Sequence, residues 1–400
     1  MASLRTSYIL VLWLSFALTF LLHGCLSVEI DREGLPWTGL NTTDWETGVL
    51  PPLDQMWELN DFQIAAKNFL AARWYASYRT AALDQVTYQA NMNIWQKIRL
   101  NGYTFRDVSD VNLNTTILGY NFSLPFFIAP AAYAGHTNES AELSLAIAAG
   151  KLGALYAPSI ESTKTLEEIA AVGLPNQTMF HQEYVWSNRT LLIEQLKRIE
   201  HAGYKAIFLT VDNTGVNGIR VQAIRETQEL DSDTGHSASF TLEALAEIRN
   251  LTTLPIVPKG IKTAADAKTC LDLGFPAIYV SNHGGRVLDG VPTSVEILLD
   301  IRKQYPEVFE NMEVYADGGV RSANHVIALL ALGARAVGLG RSPIWANIYG
   351  EEGVEKMLTL LQAELQTSLQ LMGEANVQNV VGNLSYINTK QVEAEYFGIN

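Results

Sequence analysis

The chain has 400 residues, 48% hydrophobic and 18% charged, which is enough for one large core or two ordinary domains and is unlike a disordered composition. The formal net charge is −14 and the isoelectric point is near 5.0, so the chain lacks the basic footprint that nucleic-acid binding requires. No nucleic-acid partner is expected, and the acidity by itself indicates only solubility.

The amino end predicts a secretory leader. Arg5 precedes a mostly apolar run over residues 8–22, and its fifteen residues suit a signal peptide better than a bilayer-spanning helix of roughly 20. Cys25 and Ser27 fit the small residues of a cleavage site after position 27. Residues 1–27 are therefore expected to be a cleaved signal peptide, and an uncleaved membrane anchor is the alternative.

Eight N-x-S/T sequons support a secretory route, because glycosylation acceptors in this number exceed the expectation for a cytosolic chain. They lie at Asn41, Asn114, Asn121, Asn138, Asn176, Asn188, Asn250 and Asn383. Cleavage would leave Cys270 as the only cysteine, which excludes an intrachain disulfide. The sequence predicts a secreted glycoprotein without stable membrane insertion.

Residues 28–110 are expected to form an extended arm followed by a helical extension. Apolar residues recur at helical intervals over 62–79, and Asp61 is a suitable cap for one helix across that range.

Residues 111–375 alternate between short apolar runs and amphipathic stretches of helical length, and residues 376–400 remain as a tail. The runs cover 126–131, 154–159, 179–185, 206–212, 255–259, 277–281, 313–317 and 336–340. Thr163, Thr241, Thr263 and Ser322 are the expected helix caps. Eight such units predict an α/β fold, a (β/α)8 TIM barrel, rather than an open doubly wound sheet. No G-x-G-x-x-G follows the first run.

In such a barrel every strand points its carboxyl end at one mouth, where active sites lie. The sixth run continues as SNHGGR (281–286), so the base His283 and the cation Arg286 leave one strand end three residues apart. Histidine suits proton transfer near neutral pH, and glycines let a flat ligand approach the backbone. The alternative is a loop with a hydrogen-bonded histidine and a surface arginine.

The last two runs end in glycine-arginine turns, ADGGVR (316–321) and GLGR (338–341), where barrels commonly hold a phosphate. Taken alone, Arg321 or Arg341 would more often belong to a surface ion pair than to a phosphate site. Lys259 ends the fifth run and could be a Schiff-base nucleophile, a cation that faces an anionic cofactor, or a side chain that snorkels to solvent. A phosphate bound at the neighbouring turns favours the role of a cation for the cofactor. Asp212 ends the fourth run and could orient the histidine, or serve only as a turn residue.

These motifs resemble the FMN-dependent 2-hydroxy-acid oxidases and dehydrogenases, which include glycolate oxidase, lactate oxidase and flavocytochrome b-type lactate dehydrogenase. The similarity runs over about 69–372. It is carried by TTILGYNFSLPFFIAPAA (115–132), KAIFLTVD (205–212), PIVPKGI (255–261), SNHGGRVLDGVP (281–292) and ADGGVRSANHVIALLALGARAVGLGRSP (316–343). The family fold is a (β/α)8 barrel with an amino-terminal helical extension, in agreement with the rhythm above. With its leader, the chain resembles a secreted, fungal-like member.

The resemblance implies a role for each matching residue. His283 is the base that takes a proton from the substrate as two electrons pass to FMN, and Asp212 pairs with the resulting imidazolium. Arg286 and Arg220 bind the substrate carboxylate, and the Tyr184 hydroxyl contacts the substrate.

Lys259 lies beside the flavin ring in this resemblance, and further residues match the flavin and phosphate positions. The implied FMN contacts are Ala131, Ala132, Ser159, Gln182, Thr210, Lys259, Ser281, Asp317, Gly319, Arg321, Gly340 and Arg341. The implied partners are a small 2-hydroxy acid and O2 or another electron acceptor. A homo-oligomer, often a tetramer in this family, is also implied, and no metal is expected.

Departures from the family pattern concern the substrate. Trp74 or Ser77 could replace a substrate-contacting tyrosine, because residues 73–78 read RWYASY. Glu161 stands where members usually carry an aromatic residue, and in the pocket it would repel a second carboxylate or attract an amine. One extra residue precedes Arg220, so Arg225 is an alternative. The segment that follows, up to Thr241, is shorter than the mobile loop of plant and mammalian members. This predicts a flavin that is more open to solvent and a site that admits a bulkier substrate.

Two functions follow. The first is FMN-dependent oxidation of a 2-hydroxy acid or related activated alcohol to the 2-oxo product, with the flavin reoxidised by O2 or another acceptor. The alternative is a secreted flavin-binding barrel with lost or altered catalysis, motivated by Glu161 and the altered arginine loop. A flavin-dependent isomerase would share the phosphate turns but would not account for His283 together with Arg286.

Overall fold

The structure is a computed structural model that describes residues 34–36, 38–213, 235–237 and 239–398. The expected leader, Arg220 and Arg225 lie outside the described residues. Within the described ranges, no helix is long and apolar enough to cross a membrane.

Three short helices form the amino-terminal extension: α1 (Leu59–Phe69), α2 (Ala72–Arg79) and α3 (Val86–Asn93). Asp61 does not precede α1 but lies within its first turn, where its carboxylate accepts the backbone N–H groups of Trp57 and Glu58 as part of a capping box. The buried Leu70 then turns extended, with φ −72° and ψ 145°, and ends α1. The prediction of one helix over 62–79 capped by Asp61 was therefore wrong.

Two small antiparallel sheets lie outside the barrel. β1 (Arg99–Leu100) pairs with β11 (Ile387–Asn388), which joins the extension to the carboxyl-terminal tail. β2 (Thr115–Ile117) and β3 (Tyr120–Phe122) form a hairpin, and its Leu118 N–H donates to the Glu313 carboxylate at 3.1 Å. Because Glu313 begins a barrel strand, the hairpin lies at the end of the barrel opposite the mouth.

Seven parallel strands curl side by side in the order β4-β10-β9-β8-β7-β6-β5. They are β4 (Phe126–Ile128), β5 (His181–Glu183), β6 (Ile207–Thr210), β7 (Ile256–Ile261), β8 (Ala277–Val280), β9 (Glu313–Ala316) and β10 (Ala336–Leu339). Tyr156 takes the eighth place, since it forms parallel bridges to Ile128 and Met179. The (β/α)8 barrel with an amino-terminal extension is confirmed, and every predicted apolar run contains a barrel strand or bridge.

Helices pack around these strands. They are α4 (Glu142–Lys151), α5 (Leu166–Ala171), α6 (Arg189–His201), α7 (Leu242–Arg249), α8 (Ala264–Asp272), α9 (Ser294–Gln304), α10 (Val308–Asn311), α11 (Ala323–Ala331), α12 (Arg341–Ala346), α13 (Gly350–Leu371) and α14 (Lys390–Phe397). Thr241 and Thr263 cap their helices as predicted. Ser322 precedes α11 but makes no side-chain cap bond. Thr165 caps α5 instead of Thr163, whose hydroxyl bonds to the loop before α4, so that prediction was wrong.

Buried aromatic rings fill the barrel interior below the mouth. Phe127, Phe208, Tyr279 and Tyr315 pack tilted or edge-to-face, with ring centroids 5.3 to 6.3 Å apart. This layer is a solid floor, so a ligand at the mouth lies above it.

Glu183 on β5 is a fully buried carboxyl group. Its Oε1 accepts the Tyr184 backbone N–H at 2.8 Å and the Trp186 indole N–H at 2.9 Å. Burial nevertheless raises the pKa of Glu183 from 4.5 to about 8. The native state therefore binds more protons than the unfolded chain between these two values, and stability falls as the pH rises through that interval.

Replacing the carboxyl by an amide should remove this pH dependence. In Glu183→Gln the Oε1 acceptor remains and the titration is lost, so we expect the melting temperature to decline less between pH 5 and pH 9 and to exceed that of the wild type by a few degrees at the upper end. Circular dichroism melts across that range measure the slope. Glu310→Gln, an exposed change of the same type, is the control, and equal slopes in all three proteins would contradict the assignment.

Candidate active site

A cleft of about 1150 Å³, including its open mouth, lies above the aromatic floor. Ends of the barrel strands and helix α3 line it together. The lining contains most residues predicted for the site: Ala131, Ala132, Ser159, Gln182, Tyr184, Thr210, Lys259, His283, Arg286, Asp317, Gly319, Arg321, Gly340 and Arg341. Asp212 and Ser281 do not line the cleft but contact His283 from behind.

A histidine-carboxylate pair lies at the cleft wall. The Nδ1 atom of His283 is 3.2 Å from Oδ1 of Asp212, whose side chain is 1% exposed, whereas that of His283 is 23% exposed. Burial alone would raise the pKa of Asp212, but His283, followed by Lys259 and Lys262, holds that pKa below its usual value. The anion favours a proton on Nδ1, which leaves Nε2 as the acceptor on the opposite side of the ring.

Gly260 makes this pair sterically feasible. It lies where the β7–β8 register shifts, with φ +105°, a conformation that side-chain-bearing residues rarely adopt. A Cβ atom there would lie 2.3 Å from Cγ of Asp212. The sequence interpretation did not give Gly260 a role, although the glycine directly after Lys259 was the available signal.

The extension fixes the loop that carries the histidine. His283 has φ +58° and donates its backbone N–H to Oγ of Ser281 at 3.1 Å. Asn282 exchanges two buried hydrogen bonds of 2.9 Å with Asn91 of α3. A Cβ on Gly285 would lie 2.9 Å from the backbone N of Tyr88. Ser281 thus supports the histidine backbone, and its contact with a flavin stays a prediction.

A row of buried polar side chains crosses three neighbouring positions of the barrel. Ser159 Oγ donates to Oε1 of Gln182 at 2.7 Å, and Nε2 of Gln182 donates to Oγ1 of Thr210 at 3.0 Å. Lys259 continues the row, 4% exposed, with Nζ 5.0 Å from the ring centroid of Tyr279. Donors, acceptors and one cation at the same edge suit the polar side of a flat heterocycle.

The glycine-arginine turns hold two arginines, of which Arg321 is buried and Arg341 is partly buried. Nη1 of Arg321 donates to the Val320 carbonyl at 2.9 Å and to Ser342 Oγ at 3.2 Å, whereas its buried Nε has no hydrogen-bond partner among the described residues. Burial lowers the pKa of Arg321 and lowers that of Arg341 to about 10. Neither forms an ion pair with a carboxylate of the described residues, and buried charges are normally paired. The turns therefore fit an anionic ligand such as a phosphate.

Carbonyl groups at the end of α2 hold two of the predicted arginines. Nη1 of Arg286 donates to the carbonyls of Tyr78 and Thr80 at 3.1 and 2.9 Å, and Nε of Arg341 donates to that of Tyr78 at 2.8 Å. These contacts hold both guanidinium groups beside the cleft, which Arg286 and Arg341 line together with His283.

The residue of the 73–78 segment that lines the cleft is not one of the two that the sequence suggested. Neither Trp74 nor Ser77 is among the residues lining the cleft, whereas Tyr78 is. Trp74 instead stacks on His136 with ring centroids 3.7 Å apart, and the Tyr78 hydroxyl donates to the Tyr133 carbonyl. Tyr78 was missed because the helical pattern does not reveal which residue at the end of α2 meets the barrel.

The family model of the FMN-dependent dehydrogenases matches residues 66–236 and 226–387. The chain belongs to this family. L-lactate dehydrogenase (cytochrome) of Wickerhamomyces anomalus is 32% identical over 356 residues, covering 84% of this chain and 62% of that enzyme. 2-Hydroxyacid oxidase 1 of Mus musculus is 33% identical over 355 residues, covering 80% of this chain and 94% of that protein. A mutant flavocytochrome b2 solved with pyruvate bound superimposes with a TM-score of 0.82 at 29% identity, covering 88% and 91% of the two chains.

Membership makes this protein an oxidoreductase with FMN as its cofactor. The cleft fits that cofactor on its own chemistry. Arg321 and Arg341 line the cleft as cations for the phosphate, Gly319 lines it without a side chain, and Lys259 supplies positive charge near the polar row.

A side chain at position 319 should weaken FMN retention. A Cβ on Gly319 would lie 2.0 Å from the Asn91 carbonyl oxygen, so Gly319→Ala must displace α3 or the phosphate turn, at a cost of roughly 1–3 kcal/mol. The flavin-to-protein absorbance ratio after gel filtration measures retention. Gly274→Ala is a matched control, because Gly274 has the same φ of +69° and no atom within 4 Å of its Cβ position. Equal flavin content in both variants would contradict the steric argument.

Proposed function

We propose that this protein oxidises a 2-hydroxy acid, or a related activated alcohol, to the corresponding 2-oxo product. The observation that carries the proposal is the Asp212–His283 pair at 3.2 Å, whose histidine lines the same cleft as Arg286. A base with a fixed tautomer and a guanidinium for a carboxylate are the two protein groups that such an oxidation needs. The names of the lactate and 2-hydroxyacid relatives agree with this substrate class.

Each residue then has a defined task. Arg286 binds the substrate carboxylate through its planar, two-pronged guanidinium, and Tyr184 contacts the substrate hydroxyl side. FMN, when bound in this cleft, would supply the acceptor for the two electrons that the substrate loses. His283 receives a substrate proton at Nε2, and Asp212 stabilises the resulting imidazolium across Nδ1. Lys259 provides fixed positive charge at the polar row, where negative charge on the cofactor would be stabilised.

Several finer features stay predictions. Arg220 is the proposed second carboxylate ligand and Arg225 its alternative. O2 or another carrier is the proposed electron acceptor, since the relatives' names include both oxidases and a cytochrome-linked dehydrogenase. A homo-oligomer is likewise proposed from the family resemblance alone.

The proposal is tested by anaerobic flavin reduction with a panel of aliphatic and aryl 2-hydroxy acids. We expect bleaching of the wild-type flavin by some members and peroxide release on admission of air if O2 is the acceptor. The His283→Ala variant should retain FMN, but the substrate should reduce its flavin roughly 10²- to 10⁴-fold more slowly, because the base is lost.

Two outcomes would count against this function. A wild-type flavin that no member of the panel bleaches would favour a flavin-binding barrel without this catalysis. Unchanged reduction by His283→Ala with full flavin content would remove His283 from the role of base.

Secretion is proposed on the leader and on the placement of the sequons, and a fungal-like character stays a prediction. Seven of the eight sequon asparagines are exposed, and Asn138 is half-buried. Asn188 also caps α6, with Oδ1 accepting the backbone N–H groups of Thr190 and Leu191. A glycan is attached to Nδ2, so Oδ1 of Asn188 can still accept these bonds and the cap does not prevent use of the sequon.

Endoglycosidase treatment checks this proposal. Protein secreted by its native host should lose apparent mass on treatment, and amino-terminal sequencing should begin at Val28. An unchanged mass would contradict use of the sequons, and an intact amino terminus would favour the anchor.

A further inference from the structure

Glu161 holds a fixed position at the rim of the cleft. Its backbone N–H donates to Oγ of Ser159 at 3.1 Å, and its carbonyl accepts the backbone N–H of Tyr133, also at 3.1 Å. Ser159 belongs to the polar row and is buried. The side chain of Glu161 lines the cleft that also holds His283 and Arg286.

A stacked pair of rings, Tyr184 and His236, lies within electrostatic range of Glu161. His236 stacks on Tyr184 with ring centroids 4.1 Å apart, and Tyr184 lines the same cleft. Burial lowers the pKa of His236, and the negative charge of Glu161 opposes that effect, so the carboxylate lies within electrostatic range of the stack. Glu161, Tyr184 and His236 together form what we name the acidic wall.

The cleft therefore carries opposite charges on two separate elements. Arg286 follows β8 and is oriented by the carbonyls at the end of α2, whereas Glu161 follows the strand position of Tyr156. A substrate whose carboxylate meets Arg286 extends its other end over the remaining lining, which includes the acidic wall. Complementary charges at both ends favour one orientation, and a second carboxylate would meet like charge.

We propose that the acidic wall selects 2-hydroxy acids whose side chain carries an ammonium or another strong hydrogen-bond donor, and discriminates against 2-hydroxy dicarboxylic acids. This inference rests on the proposed function, because Arg286 must bind the 2-hydroxy acid carboxylate. Glu161 acts as a specificity-determining residue and takes no part in electron or proton transfer. Charge-assisted hydrogen bonds and unpaired polar groups alter discrimination by roughly 10- to 100-fold.

The test compares three substrates of equal length on the FMN-loaded protein. The six-carbon set is 6-amino-2-hydroxyhexanoate, 2-hydroxyhexanoate and 2-hydroxyhexanedioate, and a four-carbon set repeats the series at shorter reach. We expect the rate of anaerobic flavin reduction per unit substrate concentration to be highest with the amino-substituted hydroxy acid, lower with the neutral hydroxy acid and lowest with the hydroxy diacid. In Glu161→Gln the ratio between the first and last should shrink roughly 10- to 100-fold. Glu310→Gln, with the same charge change on the exposed face of α10, should keep the wild-type ratios.

A binding measurement separates this inference from the function on which it rests. 6-Aminohexanoate, hexanoate and hexanedioate, with their four-carbon homologues, lack the hydroxyl group and cannot be oxidised. Calorimetric titration of the FMN-loaded protein should rank them in the same order and lose that ranking in Glu161→Gln. Ranked binding with no flavin reduction by any substrate would contradict the proposed function but support the acidic wall. Reduction without charge ranking at either length, or ranking unchanged by Glu161→Gln, would overturn the acidic wall alone.

Discussion

The contact between Asp212 and His283 is the interaction on which the geometry of the site depends. A carboxylate whose side chain is 1% exposed is costly unless a positive or hydrogen-bonding partner meets it. His283 supplies that partner at 3.2 Å, and the charges of Lys259 and Lys262 reinforce it. The pair also explains two backbone conformations, since Gly260 makes room for the carboxylate and His283 itself adopts a positive φ to reach it.

The amino-terminal extension supplies the second constraint, because it holds the turns of the barrel mouth from outside. Asn91 pairs with Asn282 beside the histidine, and Trp95 donates its indole N–H to the Gly319 carbonyl at 3.0 Å. Carbonyl groups at the end of α2 orient Arg286 and Arg341. The extension is thus a part of the site and not a separate appendage, and the site is complete only when both segments are folded together.

The sequence predicted the parts of this structure that depend on local chemistry. Buried parallel strands appear in the sequence as continuous apolar runs, which predicted the barrel. The glycine-rich segment that contains Gly319 and Arg321 predicted a turn at a strand end, and most of the cleft lining was predicted in the same way. The failures were of another kind. Asp61 and Thr163 are plausible caps by residue type, yet Asp61 lies inside the first turn of its helix and Thr163 accepts a hydrogen bond from Gly135 in another segment. Tyr78 reaches the cleft only because of how α2 docks on the barrel, which residue spacing does not encode.

The charges of the cleft link folding to the cofactor. Arg321 is buried and Arg341 is partly buried, neither forms an ion pair with a carboxylate of the described residues, and desolvation lowers the pKa of each. Desolvated cations of this kind cost free energy in the protein alone, and an anionic phosphate group offsets that cost. A ligand that binds only the folded chain stabilises it in proportion to the logarithm of its concentration over Kd. Because the same turns are held by α2 and α3, cofactor binding also stabilises the docking of the extension, and through Asn282 it stabilises the loop that carries His283.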